Sequence, residues 1–390
     1  MNSRLKSCVL LLPLLAAGCG SPATREELPD APAEARPDIT TDEAGIWMVM
    51  DRVEQDIGTS GRVVEDPALT AYVRGVMCKV APEYCGTLRL YVLEQPDFNA
   101  AMAPNGFTIV FTGALLRCRS EAQLAYLLAH EVTHFQRRHT LQLWREVRTA
   151  VSALIFPQIA LSVIGLGPVG LLAQLGVIGG IMEFSRAQER EADTFGLDRV
   201  AAAGYDPAES IDIWTRLIAE NEAADDDDPP IFFATHPPGT EREAYLRVQS
   251  AKLTAAGGLA LDRREEYLRA IARFRGGWLR DELQRREYDR LEVVLDNLEA
   301  QGQRIGEIDY YRAELYRLRA EEGDNRRAIA SYQAALAGDG APPETHRGLA
   351  EIHRRNGDAA QARAEYAEYL RLKPDAPDKA MIQSYLEAAE

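Results

Sequence analysis

The chain has 390 residues, 46% of them hydrophobic and 27% charged, with a formal net charge of −16. That length accommodates two domains, or one large domain with an appendage, and the composition is that of a globular chain. The acidic balance argues against the basic face that nucleic acid requires, so no nucleic-acid partner is expected.

The N-terminus has the layout of an export signal. Arg4 and Lys6 precede an apolar stretch from Val9 to Ala17, which is too short to span a bilayer as a mature helix. Leu15-Ala16-Ala17-Gly18-Cys19 resembles a bacterial lipoprotein signal, with Ala16 standing where leucine is usual. The resemblance implies removal of residues 1–18, lipidation of Cys19 and, with Gly rather than Asp at position 20, sorting to the outer membrane. An ordinary secretory signal cut nearby is the alternative. Residues 19–43 are rich in Pro, Ala, Glu and Asp and read as a disordered tether. Export makes the other cysteines meaningful. Cys78 and Cys85 bracket a short loop that could close as a disulfide in an oxidising compartment, leaving Cys118 as a small buried hydrophobe.

Helical periodicity runs from about Ala44 to Lys79. Leu88–Leu93 alternates like a strand, and Thr108–Thr112 reads as a second one after a Pro104-Asn105-Gly106 turn. Ser120 with Gln123 three residues on has the capping-box pattern, and Leu124, Leu127 and Leu128 add an apolar stripe, so a partly buried helix follows. It carries His130-Glu131-Val132-Thr133-His134. Histidines four apart lie on one helix face and can reach one metal, while Glu131 can take a proton from a water at that metal. His139, five residues on, does not have the metzincin spacing for a further ligand and is expected to be a helix-end or structural residue.

Val151–Met182 carries no charge and is broken by Pro157 and a cluster of glycines. A broken helical pair covering the site or resting on a membrane surface is expected, with a plain buried core helix as the alternative. Asp225–Asp228 marks a solvated loop. In the C-terminal third, Gly323-Asp324 and Gly357-Asp358 are 34 residues apart, the tetratricopeptide period. Leu315 and Leu349, Ala328 and Ala362, and Tyr332 and Tyr366 keep that spacing, while Trp278 marks a degenerate earlier unit. Stacked repeats offer concave surfaces to protein partners.

A catalytic zinc needs a third protein ligand and an open position. Glu189 and Asp193 share a helix face, so one could bind metal while the other holds a metal histidine by its second ring nitrogen. Glu191 would point elsewhere.

The succession of HEVTH, a hydrophobic stretch and Ser185-Arg186 through Glu189, Glu191, Ala192 and Asp193 strongly resembles the gluzincin zinc metallopeptidases. That family includes the heat-shock protease HtpX, the CAAX prenyl endopeptidase and the BepA-type periplasmic proteases. The resemblance implies that Glu189 is the third zinc ligand and that Asp193 orients a metal histidine. Asn99 to Gly113 is similar to the family's strand beside the cleft, whose backbone pairs with extended substrate. Thr235-His236-Pro237 with Arg242 is similar to its His-Pro segment, whose histidine can plug the open coordination position.

The expected fold is mainly α. A helical zincin-like catalytic domain with a small β-sheet (44–255) precedes α-helical tetratricopeptide-type repeats (256–390). The expected function is that of a membrane-anchored zinc metalloendopeptidase with one Zn2+ per chain, on the periplasmic side of the cell envelope as an outer-membrane lipoprotein. Its ligands would be His130, His134 and Glu189, its general base Glu131, and its gate His236, which could also help stabilise the oxyanion. Polypeptide substrates, among them misfolded envelope proteins, and protein partners bound by the repeats are expected, in quality control or outer-membrane protein assembly. A non-proteolytic tetratricopeptide scaffold or chaperone is the alternative.

Overall fold

The computed structural model describes residues 28–33, 36–150, 184–223, 231–237, 240–258, 260–300 and 306–387. The expected export signal with Cys19, the start of the expected tether, the uncharged 151–182 segment and the acidic run at 225–228 lie outside the described residues. No helix among the described residues is long and apolar enough to cross a membrane.

The protein is mainly α with one small sheet. Two helices, α1 (Asp42–Gly58) and α2 (Pro67–Val80), replace the single helical stretch of the sequence reading. Each has its own start: Thr41 accepts from the Ala44 N–H, and Asp66 accepts from the Leu69 N–H with Pro67 in the first turn. Cys78 and Cys85 are joined as a disulfide at the end of α2, and Cys118 is buried and free.

The sheet has three strands in the order β1-β3-β2. β1 (Arg89–Leu93) pairs in parallel with β3 (Phe107–Phe111), and β2 (Ala100–Met102) pairs antiparallel with β3 across the Pro104-Asn105-Gly106 turn. β2 is too short to show alternation, which is why only two strands are legible in the sequence. All five residues of β3 are buried, as a central strand requires, and β2 is left at an edge beside α4 (Glu121–Gln136). The chain leaves β3 through α3 (Thr112–Arg117), where Gly113 is obligatory: a Cβ there would lie 1.9 Å from the Pro96 carbonyl oxygen.

α4 is the centre of the molecule, buried at every position from Glu121 to Phe135. It packs on α2, on α6 (Arg186–Ala202), on α7 (Glu209–Ala223) and on α10 (Arg264–Arg285), with α5 (His139–Ala150) following it. Ser120 caps α4 through the Gln123 N–H, but the box is not completed. The Gln123 carboxamide accepts from the Arg119 N–H and donates to Glu209 and Asp212 of α7, so it serves packing between helices instead.

A short helix, α8 (Ile231–Thr235), and a longer one, α9 (Thr240–Ala255), complete the layer around α4. α10 and α11 (Tyr288–Glu299) then lead to the repeats. α12 (Gly306–Arg319) pairs with α13 (Asp324–Ala337), α14 (Glu344–Asn356) pairs with α15 (Ala359–Leu372), and α16 (Lys379–Glu387) closes the end. Leu315, Leu349, Ala328, Ala362, Tyr332 and Tyr366 are all buried, so the 34-residue spacing is the period of the packing. Gly323 and Gly357 both adopt left-handed φ, +87° and +85°, which turns the chain between the helices of each pair at little cost.

One core cluster runs from Val64 to Ile352, so α10 shares its packing with α4. A buried ion network reinforces that junction. Arg117 pairs at 2.6 Å with Glu220 of α7 and at 2.6 Å with Glu282 of α10. Burial pushes the Glu282 carboxyl up, and Arg117 pulls it back. Replacing Arg117 by Leu would leave both carboxylates buried without their cation. The expected loss is about 3–5 kcal/mol of stability, read as a lower midpoint in urea unfolding.

Candidate metal centre

Burial of α4 brings its two histidines into the interior on one face. His130 and His134 are each about 1% exposed. α6 supplies the opposite wall. Ser185 and Gln188 form a full capping box at its start, and Ala192, Gly196, Leu197 and Val200 turn inward. A Cβ on Gly196 would sit 3.4 Å from the His130 backbone, so the two helices meet closely there. Glu189, in the first turn of α6, and Asp193, one turn on, therefore face His130; an anion in a first turn is also favoured by the helix dipole.

His130, His134, Glu189 and His236 offer ligand atoms that all lie within 4.8 Å of one another, and all four residues are buried. His130 Nε2 is 3.1 Å from His134 Nε2 and 3.2 Å from His236 Nδ1. Glu189 Oε1 is 2.9 Å from His236 Nδ1 and 3.4 Å from His134 Nε2. Zinc bonds of about 2.0–2.1 Å in a tetrahedron require ligand atoms about 3.3–3.4 Å apart, so the spacing suits zinc. The donor set, imidazole nitrogens with one carboxylate, suits it too. Glu131 adds a further sign: its Oε1 is buried with no hydrogen-bond partner, 3.6 Å from His236 Nε2.

The charge states agree with a ligand role. Burial holds the His134 imidazole well below its usual pKa, so it is neutral with a lone pair to give. At Glu189 burial works upward, but His236 and Arg242 outweigh it and keep the carboxyl ionised. Burial pushes the Glu131 carboxyl up, against the pull of His236 and His130.

Asp193 Oδ1 lies 3.1 Å from His130 Nδ1, leaving the other ring nitrogen to the cluster. Burial raises the Asp193 carboxyl, yet Arg242 and His130 bring it down to about 2. Arg242 of α9 donates to both Asp193 oxygens, at 2.7 and 2.8 Å, and approaches Glu189 Oε2 at 2.6 Å. Its guanidinium lies 4.0 Å from the Trp214 ring centre. Tyr126, one helical turn before His130, donates to Asp193 at 2.7 Å. His236 follows α8 and stacks on Phe232.

Sequence reasoning assigned no role to Tyr126 or Trp214, and named Arg242 only within the His-Pro segment. The four-residue spacing of Tyr126 and His130 was a usable signal; the reach of Arg242 across two helices had none. His346 and His353 stand on α14, His346 bonded to Glu365 at 2.6 Å.

Comparison with known proteins agrees with this geometry. Residues 65–249 match peptidase family M48, and residues 319–384 match a tetratricopeptide repeat. The chain is 28% identical over 221 residues to the putative beta-barrel assembly-enhancing protease of Vibrio cholerae, covering 54% of this chain and 45% of that protein. It is 27% identical over 251 residues to the beta-barrel assembly-enhancing protease of Yersinia pestis, with 61% and 50% covered. With the mitochondrial metalloendopeptidase OMA1 of Schizosaccharomyces pombe it shares 34% identity over 155 residues, with 39% and 44% covered. The chain spans about half the length of the curated relatives it matches. The chain therefore carries a peptidase family M48 region at residues 65–249, with a buried His-His-Glu-His group that fits one zinc ion, and C-terminal tetratricopeptide repeats.

Proposed function

We propose that the protein is a zinc metalloendopeptidase of the cell envelope that hydrolyses polypeptides in protein quality control or outer-membrane protein assembly. The convergence of His130, His134 and Glu189, with the unpartnered Oε1 of Glu131 beside His236, carries the reading. We take residues 44–255 as the metallopeptidase domain and 256–390 as the repeat domain that receives protein partners.

His130, His134 and Glu189 would hold the zinc, with Asp193 fixing the His130 ring. When bound, zinc supplies a Lewis acid that polarises a peptide carbonyl and acidifies water to a pKa of about 7. Glu131, its carboxyl raised by burial, takes the proton of the attacking water at Oε1 and returns it to the leaving amine nitrogen. β2, at the sheet edge beside α4, gives an extended substrate a backbone to pair with. A small recess beside His134 is lined by Trp47, Pro104, Phe135 and Leu141 together with the Glu43–Arg138 pair.

His236 is the gate in this reading. It fills the fourth corner of the ligand cluster and stands against Glu131, so both water and substrate need it to leave. Once withdrawn, it could help stabilise the oxyanion.

The export-signal pattern with Cys19, and the beta-barrel assembly-enhancing proteases among the relatives, support attachment to the outer membrane on its periplasmic side, where misfolded envelope proteins would be met.

Three outcomes are expected. Glu131→Gln should keep one zinc per chain by elemental analysis, yet lose at least a thousandfold in cleavage of unfolded casein; wild-type cleavage would refute the mechanism. His236→Ala should cleave casein several-fold faster than the parent if the residue is a gate, and slower if it serves only the oxyanion. Cys19→Ser should shift the protein from the membrane to the soluble fraction of lysed cells, whereas a protein still in the membrane would exclude Cys19 as the anchor.

A further inference from the structure

His139 does open a helix, as its position in the chain suggests, but its ring is turned into the metal centre. The residue is 1% exposed. Its Nδ1 lies 3.1 Å from His134 Nδ1, and its Nε2 lies 3.1 Å from Glu191 Oε2. On an unbroken helix, five residues would carry it about 140° away from the His134 face. A turn prevents that. Arg138 takes a left-handed φ of 57° between α4 and α5, donates its N–H to the Phe135 carbonyl at 3.0 Å and pairs with Glu43 of α1. Phe184 closes the other side, its ring 4.0 Å from that of His134 and 6.3 Å from that of His139.

Only one arrangement of protons fits a His134 that offers Nε2 to a metal. His134 then keeps its hydrogen on Nδ1 and donates it. His139 must accept with Nδ1, so it carries its own hydrogen on Nε2 and donates to Glu191. Glu191 is braced from behind by Arg137 Nε at 2.5 Å.

We propose that Glu191 and His139 form a positioning relay for the metal ligand His134, fixing its tautomer and ring orientation as Asp193 does for His130. The inference rests on the zinc reading of the site. All three acids of the Glu189–Asp193 segment then serve one centre. Glu189 reaches it directly, Asp193 acts through one imidazole, and Glu191 acts through two. The two metal histidines are braced unequally, because His130 meets a carboxylate at 3.1 Å while His134 meets a neutral ring.

The test uses the full chain and measures zinc affinity by competition with a chromogenic chelator, together with the visible spectrum of the cobalt-substituted protein. The parent is measured first; a parent that binds no zinc removes the metallopeptidase reading itself. Given zinc binding by the parent, His139→Leu and Glu191→Ala should each weaken it by about 10–100-fold and shift the cobalt bands. His139→Gln should recover most of the affinity, because its carbonyl can accept from His134 while its amide donates to Glu191. Affinity within twofold of the parent and an unchanged cobalt spectrum in His139→Leu would overturn the relay. So would equal weakening in His139→Gln and His139→Leu, which would mark a packing role. If His139→Leu does not fold, Glu191→Ala decides by the same two readouts, since Glu191 is at the rim of the site and about 30% exposed in its side chain.

Discussion

Three carboxylates and four imidazoles lie together where water scarcely reaches, and the ion pair of Arg242 with Asp193 and Glu189 lets them remain there. A buried carboxylate without a partner would take up a proton instead of staying charged. Asp193 would then lose its hold on His130, and Glu189 would cease to be an anionic ligand. Arg242 is itself kept in place by the face of Trp214, whose Nε1 donates to Tyr126, which in turn donates to Asp193. The metal site is therefore one corner of a closed polar circuit that draws on α4, α6, α7 and α9.

That circuit needs a rigid frame, and α4 provides it by being buried on all sides. A helix in this position cannot spread its polar groups toward solvent, so each must find a partner in a neighbouring element. Glu121 at its start receives Lys79, Tyr72 and Tyr205, and Gln123 ties it to α7. Arg117, just before it, reaches both α7 and α10. The repeat-side helices are thus joined to the catalytic layer by charge as well as by apolar contact, and the Arg285–Asp97 pair at 2.5 Å extends the joint to the loop before β2.

Features set by spacing along one helix, or by a strict period, were legible in the sequence. His130 and His134, Glu189 and Asp193, and the Leu, Ala and Tyr positions 34 residues apart all belong to that class, because a regular helix converts spacing directly into a shared face. Features set by how separate elements meet were not. Arg242 acts across two helices, and Gln123 abandons the cap it was spaced for because two carboxylates of α7 offer its amide more. β2 is too short to alternate. His139 depends on a left-handed residue that is an arginine, not the glycine or asparagine that would have marked the turn in the sequence.

The position of His236 has a consequence for any small molecule aimed at this centre. If His236 is the gate proposed above, it competes for the open position at an effective concentration of roughly millimolar order, set by its tether. A metal-binding inhibitor then meets only the fraction of molecules whose gate stands open, and its apparent affinity falls in proportion to that fraction. Compounds ranked against a gate-less variant would therefore keep their order while gaining potency by one common factor. That factor would measure how firmly the proposed gate closes the centre.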